Sequence, residues 1–225
     1  MIRKVLPLAA IFALAFSAAA SHAQENPVTA LDKQLSRIDL GVTGVGIFNK
    51  STSGAVVATG SENTGQIVGN EPSNTLGALV TIRYVVKPLV GLEFNYGFAR
   101  YTDNYSNVPG IAPSIGVQTK VNEYTVGYLA TPAHPIFGYQ PFVSVGAGST
   151  AFKPTAGGGL GFPEQARATY YYSAGLQREY FSEHFGFRAS FRQVFYLAPD
   201  FGQNFLTIKQ HTITSEPTFG FYLKF

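Results

Sequence analysis

Cysteine and tryptophan are both absent from this chain of 225 residues. Without cysteine, the chain can form no disulfide framework. It also offers no cysteine for lipid attachment after a secretory leader, so we expect no lipid anchor. Beyond the N-terminal segment, no apolar run approaches the ~20 residues that a membrane-spanning helix needs. These absences exclude a disulfide-rich scaffold and a helical membrane protein.

The chain also lacks a large excess of charge of either sign. The chain has 16 lysine and arginine residues against 13 aspartate and glutamate residues. Two of the bases, Arg3 and Lys4, belong to the N-terminal segment, and without them the balance is nearly neutral. A neutral chain has no electrostatic reason to bind nucleic acid, so we expect no such partner.

The N-terminal segment has the features of a secretory signal peptide. Arg3 and Lys4 give it a positive start, and residues 5–20 form an apolar run. Ser21 and Ala23 are small residues at the positions that a signal peptidase reads. We therefore predict a signal peptide over residues 1–23, an N-terminal tail over 24–37 and one domain over 38–225.

The rest of the chain alternates between apolar and polar residues with a period of two, which is typical of strands with two different faces. No helix-period repeat competes with this pattern. Each alternating run is long enough for the ~9–11 residues that a tilted strand needs to cross a bilayer. The eight predicted strands are 38–48, 75–87, 90–101, 117–130, 140–152, 166–180, 185–197 and 211–225.

The connections between these strands alternate in length. The long polar connections are 51–74, 102–116, 153–165 and 198–210, and the short turns are 87–89, 132–135 and 181–184. Long and short connections therefore lie at opposite ends of one sheet. Outer-membrane barrels have this arrangement, with short periplasmic turns and long external loops. With eight strands, both termini lie at the short-turn end.

The two strand faces differ in side-chain size. One face has glycine, serine and threonine at many positions, and the other has leucine, valine, phenylalanine and tyrosine. A soluble barrel of the lipocalin kind would place the apolar face inside. However, an eight-stranded barrel is only just wide enough for side chains, and so many aromatic residues would overfill it. We therefore place the small face inside and the apolar face against lipid. A closed barrel also leaves no unpaired strand edge in lipid.

Aromatic residues near the strand ends are candidates for the interfacial girdles, which here must use tyrosine and phenylalanine. These candidates are Tyr84, Tyr101, Phe152, Tyr180, Phe185, Tyr196 and Phe225. Pro217 lies inside the last predicted strand and has no N–H to donate. We therefore expect a bulge, or the end of pairing, at Pro217.

The same alternation places five acids and five bases on the inner face. A confined charge is costly unless it is paired, so this balanced set predicts salt bridges across the lumen. The network either fills the barrel as a polar core or forms a gate or polar conduit. Its predicted members are Asp39, Arg83, Glu93, Glu123, Arg167, Glu179, Arg188, Arg192, Glu216 and Lys224.

No residue pattern indicates catalysis. His134 and His184 lie in predicted short turns. His211 precedes Ser215 and Glu216, but the alternation places Ser215 and Glu216 on opposite faces, which does not suit a nucleophilic triad. Metal-ligand clusters and phosphate-binding loops are also missing from the sequence. We therefore expect no catalytic residue, no metal, no cofactor and no enzyme activity.

The chain ends in the pattern polar, any, glycine, two of any, apolar, any, aromatic, which is formed by Thr218, Gly220, Leu223 and Phe225. This ending resembles that of the small outer-membrane β-barrel superfamily, the group around the OmpA barrel domain and OmpX. The resemblance implies that the barrel-assembly machinery reads the last strand as an assembly signal.

The sequence thus predicts an all-β protein, an eight-stranded antiparallel up-and-down transmembrane β-barrel with both termini in the periplasm. Outer-membrane lipid would surround it. The resemblance implies a structural or surface-interaction role, with an unknown external ligand. The alternatives are a narrow channel or conduit for small or apolar solutes and, as the weakest interpretation, a lipid-modifying enzyme.

Overall fold

The computed structural model describes residues 30–57, 64–108 and 114–225. The predicted signal peptide and the first part of the predicted tail lie outside these residues. The remainder of the tail contains a short helix, α1 (Ala30–Leu35), directly before the first strand. Within the described residues, no helix is both long and apolar enough to cross a membrane.

In the described part of the chain, ten strands follow α1, and eight of them are long. The long strands are β1 (Ile38–Asn49), β4 (Thr75–Lys87), β5 (Val90–Ser106), β6 (Ser114–Ala130), β7 (Gln140–Pro154), β8 (Gln165–Ser182), β9 (Phe185–Leu197) and β10 (His211–Lys224). Between β1 and β4 lie the short strands β2 (Thr52–Ala55) and β3 (Ile67–Pro72). All eight predicted strands are present, with ends that differ by at most a few residues.

The eight long strands form a closed antiparallel barrel. Each pairs with its neighbours in the chain, and β1 pairs with β4 on one side and with β10 on the other. The β1–β10 ladder joins the first strand to the last, so the sheet has no free edge along the wall. The predicted fold class is confirmed.

The two short strands were missed by the sequence prediction, which treated residues 51–74 as a polar loop. β2 and β3 form a hairpin, and β3 pairs with the extended end of β5. Their local sequences contain glycine, serine and a proline, and alternate only weakly. The strands form because the projecting edge of β5 offers them hydrogen-bonding partners, which local periodicity cannot reveal.

The outward face of the barrel is apolar, as predicted. Its exposed residues include Leu92, Phe94, Phe98, Tyr124, Val126, Val143, Val145, Leu176, Phe191 and Phe219. On the inner face, glycine makes room for larger neighbours. A Cβ added to Gly127 would lie 2.3 Å from the Tyr171 hydroxyl, and one added to Gly146 would lie 2.6 Å from the Tyr171 ring. The small inner residues therefore allow bulky polar side chains to cross the lumen.

The lumen has two different halves, one toward the short turns and one toward the long loops. The half toward the long loops is apolar, which the sequence analysis did not predict. Its wall includes Val45, Ile47, Leu79, Ala99, Val121, Phe152 and Val194. These residues share the inward alternation of their strands but occupy the parts nearest the long loops.

Three predicted girdle residues lie inside this apolar half. Tyr101, Phe152 and Tyr196 are only 5%, 0% and 5% exposed, so their assignment to the girdle was wrong. The physical reason is the period of two: a residue near a strand end still points to the face that its alternation dictates. Tyr101 follows the alternation of Glu93 and Asn95, which both point inward.

Pro217 interrupts the β1–β10 ladder without shifting it. Val45 pairs with Thr218 and Phe48 pairs with Ser215, but the two pairs between them are missing. The register is the same on both sides of the gap, so there is no bulge. Because proline has no N–H, the ladder loses pairing there and resumes two residues later.

Candidate functional site

Glu93 is the centre of a polar cluster in the lumen near the short turns. Arg83 lies directly opposite it on β4, and the Arg83 Nη2 to Glu93 Oε2 distance is 2.5 Å. The other carboxylate oxygen accepts hydrogen bonds from Asn95, Ser144 and Tyr171 at 3.0, 3.0 and 3.1 Å. Because Ser144 and Tyr171 come from β7 and β8, Glu93 connects opposite walls of the barrel.

Gln177 links two arginines at the same level. Its side-chain oxygen accepts from Arg83 Nη1 at 3.1 Å and from Arg188 Nε at 3.0 Å. Arg188 also forms an ion pair with Asp39, with Nη2 2.8 Å from Oδ1. The ring of Phe142 lies under the Arg83 guanidinium, 3.9 Å from its centroid. Two like charges are thus held close together by a shared acceptor, a carboxylate and an aromatic face.

Arg192 occupies the middle of the lumen and bonds two carboxylates. Its Nη2 lies 2.6 Å from Glu123 Oε1, and its Nη1 lies 2.5 Å from Glu216 Oε2. All three residues are buried. The Tyr171 ring lies 4.9 Å from the guanidinium carbon, which connects this group to the Glu93 cluster. Such a charge-assisted fork is among the stronger hydrogen-bonding arrangements in proteins.

Arg167 pairs with a loop residue instead of another predicted lumen residue. Its Nη2 lies 2.9 Å from Asp200 Oδ2, in the connection between β9 and β10. Asp200 also accepts hydrogen bonds from Gln165 and from the Gly202 amide. Burial raises the pKa of the Asp200 carboxyl, but these hydrogen bonds and the charge of Arg167 outweigh it and hold that pKa below its usual range.

Lys224 and Glu179 pair at the short-turn rim. Their charged atoms are 3.3 Å apart, and both side chains are more than two-fifths exposed. An exposed pair of this kind contributes about 0–1 kcal/mol to stability. The rim pair is therefore distinct from the buried lumen groups.

The ten predicted charges thus occupy three places. Arg167 lies toward the long loops, Lys224 and Glu179 lie at the rim, and the other seven are buried in ion pairs inside the barrel. The uncharged partners were not among the predicted members of the network, which were chosen by charge alone. Their inward alternation could have revealed them: Thr81, Asn95, Ser144, Tyr171, Ser173 and Gln177.

Every strand of the barrel contributes to this network, which we call the lumen network. Its members, in strand order from β1 to β10, are Asp39, Arg83, Glu93, Glu123, Ser144, Tyr171, Arg188, Arg192 and Glu216. Little space remains among them, although a wider opening of about 470 Å³ borders Asp39 at the short-turn rim. A cavity of about 10 Å³ lies beside Arg83 and Glu93, and another of about 40 Å³ lies on the long-loop side of Arg192. These volumes suit one or a few water molecules and leave no room for a hydrated solute.

The larger cavity forms an apolar chamber above the lumen network. Arg192, Glu123 and Glu216 form its floor, and Tyr101 and Tyr196 lie at the far side with their hydroxyl oxygens 3.3 Å apart. Its walls are Val45, Ile47, Leu79, Ala99, Val121 and Val194.

Segments from the long loops cover the chamber. Phe201 and Leu206, from the connection between β9 and β10, are completely buried, and so is Val68 from β3. Tyr105 donates a hydrogen bond to the Pro199 carbonyl at 2.7 Å, which fixes the loop to β5. The lumen is therefore blocked at the long-loop end by apolar packing and at the other end by ion pairs.

None of the three histidines forms part of a catalytic arrangement in the described residues. His184 contacts only a backbone oxygen, that of Lys224 at 3.0 Å. The side chains of His134 and His211 take part in no hydrogen bond or ion pair within residues 30–57, 64–108 and 114–225. The same residues contain no group of three or more metal-ligating side chains.

The four residues of the predicted assembly signal lie on both faces of β10. Thr218 points inward, and its hydroxyl lies 2.6 Å from that of Ser190. Gly220 also faces inward, where an added Cβ would lie 2.2 Å from the Val42 carbonyl. Leu223 alternates with these two residues, and Phe225, 42% exposed, continues its outward face.

The fold resembles solved outer-membrane barrels, whereas no protein-family model and no curated protein sequence matches the chain. The crystal structure of the outer membrane protein OprG from Pseudomonas aeruginosa gives a TM-score of 0.59 at 13% identity, and the match covers 84% of this chain and 95% of that chain. For Neisserial surface protein A, the TM-score is 0.51 at 10% identity, with 84% and 97% covered. At these identities the likeness concerns the fold, and it confirms the resemblance to small outer-membrane β-barrels at that level.

Proposed function

We propose that this protein is an integral outer-membrane β-barrel with a closed lumen and a structural or surface-interaction role. Both termini would lie in the periplasm and the long loops outside the cell. The observation that carries this proposal is the lumen network, to which all eight barrel strands contribute. An apolar outward face on a closed wall suits a lipid environment.

The energetics of the network favour a plug over a gate. Removing one partner from a buried ion pair costs about 3–5 kcal/mol, because the other charge is left unpaired in a poor solvent. A solute passing along the barrel axis would have to separate Arg192 from both Glu123 and Glu216. It would then meet the cluster around Glu93. Transient opening of the lumen is therefore costly, and the network links the barrel strands across the lumen permanently.

The long-loop end is suited to presenting a surface. The β2–β3 hairpin extends the sheet beyond the barrel through its pairing with β5. The loop between β9 and β10 packs its apolar residues inward and exposes Asn204, Lys209 and Gln210. The described parts of this end are held by strand pairing and by the Tyr105 hydrogen bond, which reduces the conformational entropy lost on binding. We expect an external ligand to contact this end.

Conductance in planar bilayers tests the closed lumen. The wild-type protein should show no discrete openings. The Arg192→Ala variant removes the central fork, and Lys224→Ala, which breaks only the exposed rim pair, is the matched control. Stepwise openings of the wild-type protein that change with Arg192→Ala and not with Lys224→Ala would overturn the proposal in favour of a channel.

A conduit for small apolar solutes is the second candidate, and the apolar chamber favours it. Ala78 and Phe98 on the barrel wall also line this chamber, and the β4–β5 ladder stops at that pair. A solute would first have to displace the loop residues that cover the chamber, and it would then meet lipid at this side before the lumen network. Uptake of the apolar dye N-phenylnaphthylamine tests this route. Faster entry in cells with the protein, lost in Ala99→Phe and kept in the lipid-facing Ala147→Phe, would support it.

A lipid-modifying activity has no support from the histidine positions. Comparing the lipids of cells with and without the protein tests this alternative. We expect identical lipid profiles. A modified lipid that appears only with the protein would show that a catalytic site exists.

A further inference from the structure

Three basic residues lie side by side on the outward face near the long loops. Arg100 on β5 is the register partner of Lys120 on β6, and Lys120 is the register partner of Lys153 on β7. Directly opposed residues in antiparallel strands have Cβ atoms about 4.5–5.5 Å apart. The three positive charges, which we call the cation row, therefore lie on three consecutive strands across about 10 Å of the wall.

The cation row lies just beyond the apolar part of the wall. Phe98 precedes Arg100 by two residues on the same face, and Tyr96 and Tyr124 lie one further step below, with ring centroids 5.1 Å apart. Two residues of strand span about 7 Å. The apolar side chains of this part of the wall end at Phe98, so we place the row at the height of the lipid head groups.

The protein itself neutralises little of this charge. Lys153 has a carboxylate partner, Glu164, at 3.4 Å, but both side chains are more than half exposed. Arg100 donates to the neutral side chain of Gln118. Lys120 has no ion pair within the described parts of the chain. Like charges directly opposite each other destabilise a sheet. A bound anion would offset the repulsion between the three cations.

We propose that the cation row binds the phosphorylated head group of a glycolipid of the external leaflet, such as lipopolysaccharide. The inference rests on the proposed membrane orientation. A guanidinium can hold a phosphate through two parallel hydrogen bonds, and two ammonium groups add point charges beside it. Three cations in line suit a head group with more than one phosphate. The half-buried ring of Tyr96 and the exposed ring of Tyr124 lie below, where the acyl chains would pack.

Gln118 organises one end of the row. Its side-chain oxygen accepts from Arg100 Nη2 at 2.5 Å and from the Thr155 hydroxyl at 3.0 Å. The Thr155 amide in turn donates to the Gln118 carbonyl at 2.8 Å. Arg100 is thereby held toward β6 and β7 before any lipid arrives. Such preorganisation lowers the entropic cost of binding.

Binding of lipopolysaccharide to the full-length, detergent-refolded protein tests the proposal. The test variant combines Arg100→Gln, Lys120→Gln and Lys153→Gln. The control combines Lys33→Gln, Lys50→Gln and Lys87→Gln, three exposed cations that are not adjacent to one another. We expect the test variant to bind at least about tenfold more weakly than the wild type and the control to bind like the wild type. Equal binding by all three proteins would overturn the site.

Competition distinguishes the possible sources of phosphate. Dephosphorylated lipopolysaccharide should bind the wild type no better than it binds the test variant. Inorganic phosphate and phosphatidylglycerol micelles should fail to displace lipopolysaccharide. Displacement by either one at a matched phosphate concentration would overturn the glycolipid assignment.

The unboiled mobility on a detergent gel separates this inference from the proposed function. A folded, heat-modifiable barrel without a lipopolysaccharide preference overturns the cation row alone. A protein without heat-modifiable mobility overturns the membrane barrel and the site together.

Discussion

Gly146 illustrates at the scale of single residues how the barrel accommodates its network. An added Cβ there would lie 2.4 Å from the Val126 carbonyl and 2.6 Å from the Tyr171 ring. Gly44, on the outward face, would bring its Cβ no closer than 3.8 Å to the Phe219 carbonyl. We predict that Gly146→Ala lowers the free energy of unfolding by about 1–3 kcal/mol. Gly44→Ala should change it by less than about 0.5 kcal/mol.

Urea unfolding of both alanine variants in lipid vesicles measures this difference. The two substitutions add the same methyl group, so general effects on the unfolded chain cancel between them. Equal stabilities of the two variants would contradict the close packing of the inner face around Tyr171.

Arg192 provides a second prediction at this scale. Arg192→Met leaves Glu123 and Glu216 facing each other in the lumen and should cost about 3–5 kcal/mol in the free energy of unfolding. Adding Glu123→Gln and Glu216→Gln to that variant removes both unpaired charges. The triple variant should recover most of the loss, as measured by the same urea titration.

A triple variant as unstable as Arg192→Met would show that packing around the guanidinium, and not charge pairing, holds the middle of the barrel. Lys224→Met at the exposed rim is the control. It should leave stability within about 1 kcal/mol of the wild type.

We predict that the stability of the loop between β9 and β10 depends on pH, because of the Asp200 carboxylate. Its folded pKa is held below its usual value by Gln165, the Gly202 amide and Arg167. A carboxyl group with a lowered folded pKa stabilises the fold above its unfolded pKa, and that stability is lost as pH falls through the folded pKa. Hydrogen-exchange protection near Phe201 should therefore decrease below the ordinary aspartate range of about 4.

Asp200→Asn should show the low protection already at neutral pH, after correction for intrinsic exchange rates. Protection that follows the same pH curve in Asp200→Asn and in the wild type would show that another group controls this loop.

At the scale of secondary-structure elements, β10 both completes the barrel wall and carries the proposed assembly signal. It closes the barrel against β1, and the amide of Phe225 donates to the Ile38 carbonyl at 3.3 Å. We predict that deleting Phe225 lowers outer-membrane levels of the protein, because the terminal aromatic residue belongs to the proposed assembly signal. Immunoblotting of membrane fractions measures it. Phe225→Tyr, which keeps an aromatic end, should assemble normally, whereas normal levels of the deletion would contradict an assembly role.

The sequence was sufficient for the long strands but not for what extends beyond them. Alternation located β9 at 185–197, as the structure has it. The same rule could not identify β2 and β3, because their pairing depends on the edge of β5, far along the chain. Alternation shows which residues face the lumen. It does not show that the inner face is polar near the short turns and apolar near the long loops. Tyr101 and Tyr196 were therefore assigned to the girdle, although they close a chamber.

The charged residues of the lumen network could be predicted from the sequence, but the pairing between them could not. Balanced inward acids and bases identified Arg192 with Glu123 and Glu216 as residues of one compartment. Which acid meets which base depends on strand stagger, which the sequence does not specify. Asp200 was missed because it lies in a loop, where no periodicity assigns a face.

At the scale of the whole molecule, closure predicts resistance to detergent. All eight wall strands are hydrogen-bonded on both sides, so unfolding cannot begin from a free edge. The unboiled protein should migrate differently from the boiled protein on a detergent gel, with a β-type circular dichroism spectrum before boiling only. Identical migration and the absence of a β spectrum would contradict the barrel.

The ladder between β1 and β10 makes the wall a ring, and a ring has no first strand. The start and end of the barrel meet at the short-turn rim, where Phe225 contacts Ile38. A circular permutant that joins these ends and opens at a long loop would keep every strand neighbour. It would, however, no longer present Phe225 as a free terminus. Under the proposed assembly signal, the order of the strands along the chain would matter for how the assembly machinery recognises the unfolded protein, and very little for the final shape of the barrel.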